Sequence, residues 1–282
     1  MTTMISTASP IPLAIVSGQR EAGGDTARKS LDRMQRLARL TGLLFIITFA
    51  TSIPPFVYFY AGALGDPDFI LQGGFDRGLA IGALLELLLI AANIGTALTL
   101  YPALKKRSDV MAIGYVTARL TECGFIAVGI IALMALNTMR MNAGAADQAT
   151  LVVAGQALVA IHDWTFRLGP GVVVGVGNGL ILGYMMWNTC LVPRAMSILG
   201  LIGGPALLIA GVAVLLGYTE AGSTFQAVAT ISEFFWELSL GLWLLVKGFD
   251  VKALTDLENP QQENGFAYPV TTPKVTQPMS AV

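Results

Sequence analysis

Hydrophobic residues in this chain gather into six long runs, at 38–60, 78–101, 111–136, 170–187, 195–216 and 228–246, separated by short polar segments. At 1.5 Å of rise per residue, each run is close to the length that crosses about 30 Å of hydrocarbon. Inside lipid a run of this kind satisfies its backbone amides and carbonyls as a helix. The predicted fold is all-α, a polytopic transmembrane helix bundle of six spans. Pro54 and Pro55 should kink or end the first span just before the aromatic cluster Tyr58, Phe59 and Tyr60, because neither supplies a backbone donor.

One stretch does not fit the six-run pattern. The segment 151–167, LVVAGQALVAIHDWTFR, is apolar but interrupted by Gln156, His162, Asp163 and Arg167, and Gly169-Pro170 should break a helix before the next run. It reads as one extra helix, interfacial or re-entrant, on the outer face of the membrane. His162, Asp163, Trp164 and Arg167 would then form an outer-surface polar group, with the Trp164 ring at headgroup level.

Basic residues set the orientation. With the N-terminus inside, Arg20, Arg28, Lys29, Arg33, Arg36, Arg39, Lys105, Lys106, Arg107, Arg194, Lys247, Lys252 and Lys274 fall on the cytoplasmic side. Only Arg77, Arg140 and Arg167 fall outside, and Arg119 lies within a span. This bias predicts that both termini are cytoplasmic and supports an even number of crossings. Residues 1–37 read as a polar, basic and flexible segment, 38–249 as the membrane domain, and 250–282 as a disordered cytoplasmic tail. The apolar patch at 11–16 has no basic residue before it and is shorter than a signal-peptide core, so no cleaved signal is expected.

Composition agrees with this picture. Hydrophobic residues make up 54% of the 282 and charged ones only 12%, about half the share usual in a soluble domain. Mean hydropathy is +0.67. The net charge of −1 gives no reason to expect a nucleic-acid partner; the expected partners are membrane lipids, with oligomeric state left open. Cys123 and Cys190 read as two free thiols. Gly171, Gly175, Gly179 and Gly183 recur every four residues, a small-residue face on which a neighbouring helix can pack closely, and the fifth span adds Gly200, Gly203, Gly204 and Gly211. Asn178, one residue off that face, could hydrogen-bond between helices. The glycines at 175–179 lack the spacing and the strand context of a nucleotide loop.

The chemistry lies in polar residues at membrane depth. The second span carries Glu86 and Asn93, the third Arg119 and Glu122, and the sixth Glu233 and Glu237. Arg119 and Glu122 are three residues apart, hence on one face of a helix. Charged groups at a span's centre cost about 2.5–3.5 kcal/mol each on insertion scales, so all six should face the bundle interior as one network. Arginine keeps its proton, so at least one carboxylate should pair with it as an anion. The others would be protonated, hydrogen-bonded or open to a water-filled cavity. With one histidine, no metal, haem or other cofactor site is expected, and no serine sits in a hydrolase elbow, so no catalytic residue is assigned. The pattern fits a protein that binds or transports a small molecule or ion through a buried polar cavity. Two alternatives stand beside it: a structural or regulatory membrane protein whose charges serve packing, and a membrane enzyme acting on a lipid or quinone.

Several segments resemble a known family. RLARLTGLLFIITFATSIP near the start, ECGFIAVG at 122–129, the run from ALVAIHDWTFRLGPG to LLIAGVAVLLG at 157–217, and EFFWELSLGLWLLVKGF at the end of the domain are similar to the domain of unknown function 4386 family, over about residues 36–249. The resemblance implies a multi-pass protein of the bacterial cytoplasmic membrane. It implies no activity and supplies no catalytic residue.

Overall fold

Helix boundaries follow the chemistry of the short connections. Asp76, Ser108, Asp147 and Ser223 each accept a hydrogen bond from an amide in the first turn that follows, the capping role these side chains favour. The computed structural model describes residues 13–145 and 147–258. The main helices are α1 (Leu13–Pro54), α2 (Arg77–Leu104), α3 (Asp109–Met141), α4 (Gln148–Thr189), α5 (Arg194–Leu215), α6 (Thr224–Val246) and the short α7 (Val251–Glu258). Left-handed backbone at Cys190, Gly217 and Gly248 ends α4, α5 and α6. No strand occurs among the described residues. Six helices, α1 to α6, are long and apolar enough to cross a membrane.

Each of these six packs on the next in sequence, and α6 packs back on α1, which closes a ring. Outward faces carry exposed apolar side chains such as Leu87, Leu98, Ile131, Ile209 and Leu242, as a surface in contact with lipid requires. One end of the ring is filled by a hydrophobic core that includes Phe45, Leu100, Leu104, Tyr115, Met186, Trp236 and Leu244. The opposite end holds a smaller core around Tyr60, Ile70, Leu133 and Leu136. There Arg140 is buried over the Phe69 ring and donates to the Gly73 carbonyl, tying down the α1–α2 connection.

Three expectations need correction. First, the basic segment expected to be flexible to residue 37 is helical from Leu13 onward. Second, residues 250–258 are not a disordered tail. Phe249 and Leu254 insert into the core, and Glu258 accepts hydrogen bonds from Ser30 at 2.7 Å and Lys106 at 2.6 Å. This fastens α7 to α1 and to the α2–α3 loop, so both described termini lie at the same end; 259–282 lie outside the described residues. Third, Gly169-Pro170 does not break α4. The helix widens into π turns at Gly169–Val173 and Gly175–Leu182, with the Val174 amide donating to the Gly169 carbonyl five residues back. A proline ring clashes with the carbonyl four residues earlier in an α-helix, and the wider turn removes that conflict.

The extra helix expected at 151–167 is therefore the first half of α4, and it lies along α3. Gly129 of α3 faces His162 and Thr165, Gly169 faces Phe125, and Gly177 faces Ala118. The number of crossings stays at six. Pro54-Pro55 behaves as anticipated: the regular helix stops at Pro54 and passes into a π turn, Pro55–Phe59.

The glycine face does what its spacing suggested. A Cβ added at Gly175 would stand 2.7 Å from the Gly204 carbonyl oxygen, and one at Gly211 would stand 2.6 Å from the Gly171 carbonyl oxygen. The α4 and α5 backbones thus touch directly, the small-residue packing that membrane helices use. Gly204→Ala should cost about 1–3 kcal/mol through overpacking. Gly124→Ala, at an exposed α3 position with nothing within 4 Å, should be neutral or stabilising. Unfolding in detergent measures both, and equal effects would refute the packing argument.

Candidate functional site

The centre of the ring is polar because α2, α3 and α6 each turn carboxylates inward. Arg119 is only 2% exposed and is the hub of the largest cluster. Its Nη1 donates to Glu122 Oε2 at 2.8 Å, and its Nη2 donates to Asn93 Oδ1 at 2.8 Å and to Thr96 Oγ1 at 3.4 Å. The Asn93 amide returns a bond to Glu122 Oε1 at 3.2 Å. The ring of Phe45 lies 5.9 Å from the guanidinium carbon. The i, i+3 spacing read from the sequence thus gives a direct ion pair, and α2 contributes the amide that completes it.

The remaining carboxylates do not join that cluster. Glu86 accepts a 2.8 Å hydrogen bond from the Tyr60 hydroxyl. Gly82, one turn before Glu86, leaves the space that the Tyr60 ring occupies. Glu237 accepts a hydrogen bond from the side-chain amide of Asn178 on α4, so the asparagine beside the glycine face does bridge two helices. The indole of Trp236 donates to the Asn178 carbonyl at 3.0 Å and fixes that stretch of π-helix against α6. Glu233 is 4% exposed, and neither of its oxygens has a hydrogen-bond partner among the described residues. The single network anticipated from the sequence is four separate carboxylate environments around one chamber.

The chamber is a cavity of about 300 Å³ to which α1 through α6 all contribute. Asn93, Arg119, Glu122, Glu233 and Glu237 lie on its wall, together with Glu86, Tyr60 and His162. Ile53 of α1, Phe56 and Val57 of the π turn that follows it, Phe166 of α4 and Phe234 of α6 also line it and are exposed on the outside of the bundle, forming its rim. Phe56 stacks on Phe166 with centroids 5.3 Å apart, and Phe49 meets Phe234 edge-on at 5.0 Å. The core at the terminal end closes the chamber on that side.

The group expected on the outer surface divides. Asp163, Trp164 and Arg167 are exposed or partly so, with the Arg167 guanidinium 5.0 Å from the Trp164 ring centre. His162 instead turns inward, 5% exposed, with its ring edge-on to Tyr60 at 5.5 Å. Its Nδ1 lies 3.9 Å from Asp163 and makes no hydrogen bond. The reason is the helix continuing through Pro170, which holds His162 against Gly129 of α3 instead of at a membrane surface. Tyr60 and Thr96 are the site residues that the sequence reading missed. Tyr60 looked like part of an interfacial aromatic belt, and only the nearby Gly82 hinted at an inward ring.

Arg119→Leu should destabilise the protein by about 3–5 kcal/mol, the usual cost of breaking a buried pair from one side. Changing Arg119 and Glu122 together to leucine should recover much of this. In a double-mutant cycle, Arg119 should couple to Glu122 by more than about 1 kcal/mol and to Glu86 by less than about 0.5 kcal/mol. A neutral Arg119→Leu would remove the hub from this account.

No curated protein and no solved structure matches this chain. Residues 40–248 match the model of one family, described as a domain of unknown function (DUF4386), and the matched region takes in the second part of α1, all of α2 to α6 and every carboxylate of the chamber. The chain is an integral membrane protein with several spans, and it belongs to the DUF4386 family.

Proposed function

We propose that this protein binds an amphipathic small molecule within the membrane, as a carrier or a lipid-facing binding protein. The observation that carries this reading is the chamber itself: a polar wall drawn from several helices, with an exposed rim that is aliphatic and aromatic. Ligand sites combine mostly apolar lining with a few placed polar groups. A molecule with its polar end inward and its apolar body through the rim would meet both.

A packing role is favoured for one part of the interior. The terminal nitrogens of Arg119 are already taken up by Glu122, Asn93 and Thr96, which ties α2 to α3 without any ligand. Packing alone does not account for the volume beside Glu86, Glu233 and Glu237. Thermal stability of the purified protein, screened against amphiphiles of different headgroup, tests the proposal. A ligand at 100 times its Kd stabilises the native state by about 2.7 kcal/mol. That stabilisation should vanish in Val174→Trp, which fills the chamber from α4. Stabilisation that survives this change would place the binding elsewhere and defeat the proposal.

We also propose that the protein resides in the cytoplasmic membrane of a bacterium, with both termini inside. The basic residues carried by α1, the α2–α3 loop, the start of α5 and α7 support this. In a Cys123→Ser, Cys190→Ser background, single cysteines at Asp147 or Glu220 should react with an impermeant reagent added to intact cells. Cysteines at Lys106 or Arg194 should not, and labelling at Lys106 from outside would reverse the orientation.

A further inference from the structure

Glu233 is the one carboxylate of the chamber whose oxygens receive no hydrogen bond from the described residues. Space was left for it without a donor. A Cβ added at Gly179 of α4 or Gly203 of α5 would stand 3.1 Å from Glu233 Oε2, so two glycines form the crevice that holds the group. An ionisable group buried with no partner takes up a proton or gains from a cation or hydrogen-bond donor brought to it. No donor among the described residues reaches it: Arg119 Nη1 and Nη2 are taken by Glu122, Asn93 and Thr96, and Arg119 Nε, though unpartnered, makes no hydrogen bond to Glu233.

Charge balance in the chamber points the same way. Glu86, Glu122, Glu233 and Glu237 face it, against Arg119 as its fixed cation and His162 as its one imidazole. Carboxyls thus outnumber cations, and wherever more than one is ionised the low-dielectric walls concentrate positive charge. Phenylalanines share the exposed rim with Ile53 and Val57, and their ring faces attract ammonium groups as well as hydrocarbon.

We propose that the ligand of this chamber carries a protonated amine at its polar end, and that Glu233 receives it. The inference rests on the reading of the chamber as a ligand site and adds the chemical class of its ligand. The amine donates to the free carboxylate oxygens, and the hydrocarbon body leaves between Phe56, Phe166 and Phe234.

Three probes of equal chain length separate the cases: decylamine, decanol and decanoate, titrated against the full-length protein in lipid nanodiscs with thermal stability as the readout. Wild type should bind decylamine at least about tenfold more tightly than decanol, and decanoate most weakly. Glu233→Gln should bring decylamine to within about threefold of decanol and leave decanol binding unchanged. Probe partition into the bilayer is the same for both proteins, so the difference between them reports the site. Equal binding of decylamine by wild type and Glu233→Gln overturns the assignment. So does a wild type that binds decanol or decanoate as well as decylamine, a comparison that needs no variant; in that case the chamber still binds amphiphiles. If none of the three stabilises wild type in a way that Val174→Trp removes, the chamber is not a ligand site, and the broader reading falls as well.

Discussion

A guanidinium that cannot shed its proton, held among membrane-spanning helices, constrains everything around it. Arg119 keeps its charge, so the fold must surround it with acceptors. One comes from its own helix, Glu122, and the others from α2, Asn93 and Thr96, which fixes the rotation of both helices at once. The polar groups needed for this cannot face lipid, so the ring closes around them and its outside is left to leucine, isoleucine and valine. At the terminal end the aromatic and aliphatic plug around Phe45, Tyr115 and Trp236 is the counterpart of that charge, separating it from the loops that carry the basic residues.

Closing a ring around a polar centre requires some helix pairs to come very near each other. Glycine makes this possible on both sides of α6's neighbours. Gly42 and Gly241 let α1 and α6 meet, while Gly171, Gly175 and Gly179 meet Gly204 and Gly211 between α4 and α5. The second of these contacts also borders the chamber, since Gly179 lies against Glu233. Close backbone packing and an unfilled polar space therefore come from the same small residues.

The fold was readable where one helix's own periodicity carried the information. Gly171 to Gly183 announced a packing face, and Arg119 with Glu122 announced an ion pair, because each pattern repeats along a single axis. Readings failed where the outcome depended on another part of the chain. Residues 250–258 are polar enough to look disordered, yet Phe249, Leu254 and Glu258 find partners in the core, on α1 and in the α2–α3 loop, more than a hundred residues earlier in the chain. His162 sits in a segment that looks interfacial, and only its register against Gly129 of α3 sends it inward. Which carboxylate pairs with which donor was equally hidden, since Tyr60 and Asn178 lie outside the helices that carry Glu86 and Glu237.

The widened turns of α4 bear on how its glycines stay in line. In a helix of 3.6 residues per turn, a step of four residues overshoots a full turn by about 40°, so successive steps would wind the glycines away from α5. A π turn holds more residues, and the same step falls short of a full turn. From Gly169 to Leu182 α4 is wound as π-helix except at Val174, so the drift expected of an α-helix is reversed where Gly171, Gly175 and Gly179 pack on α5.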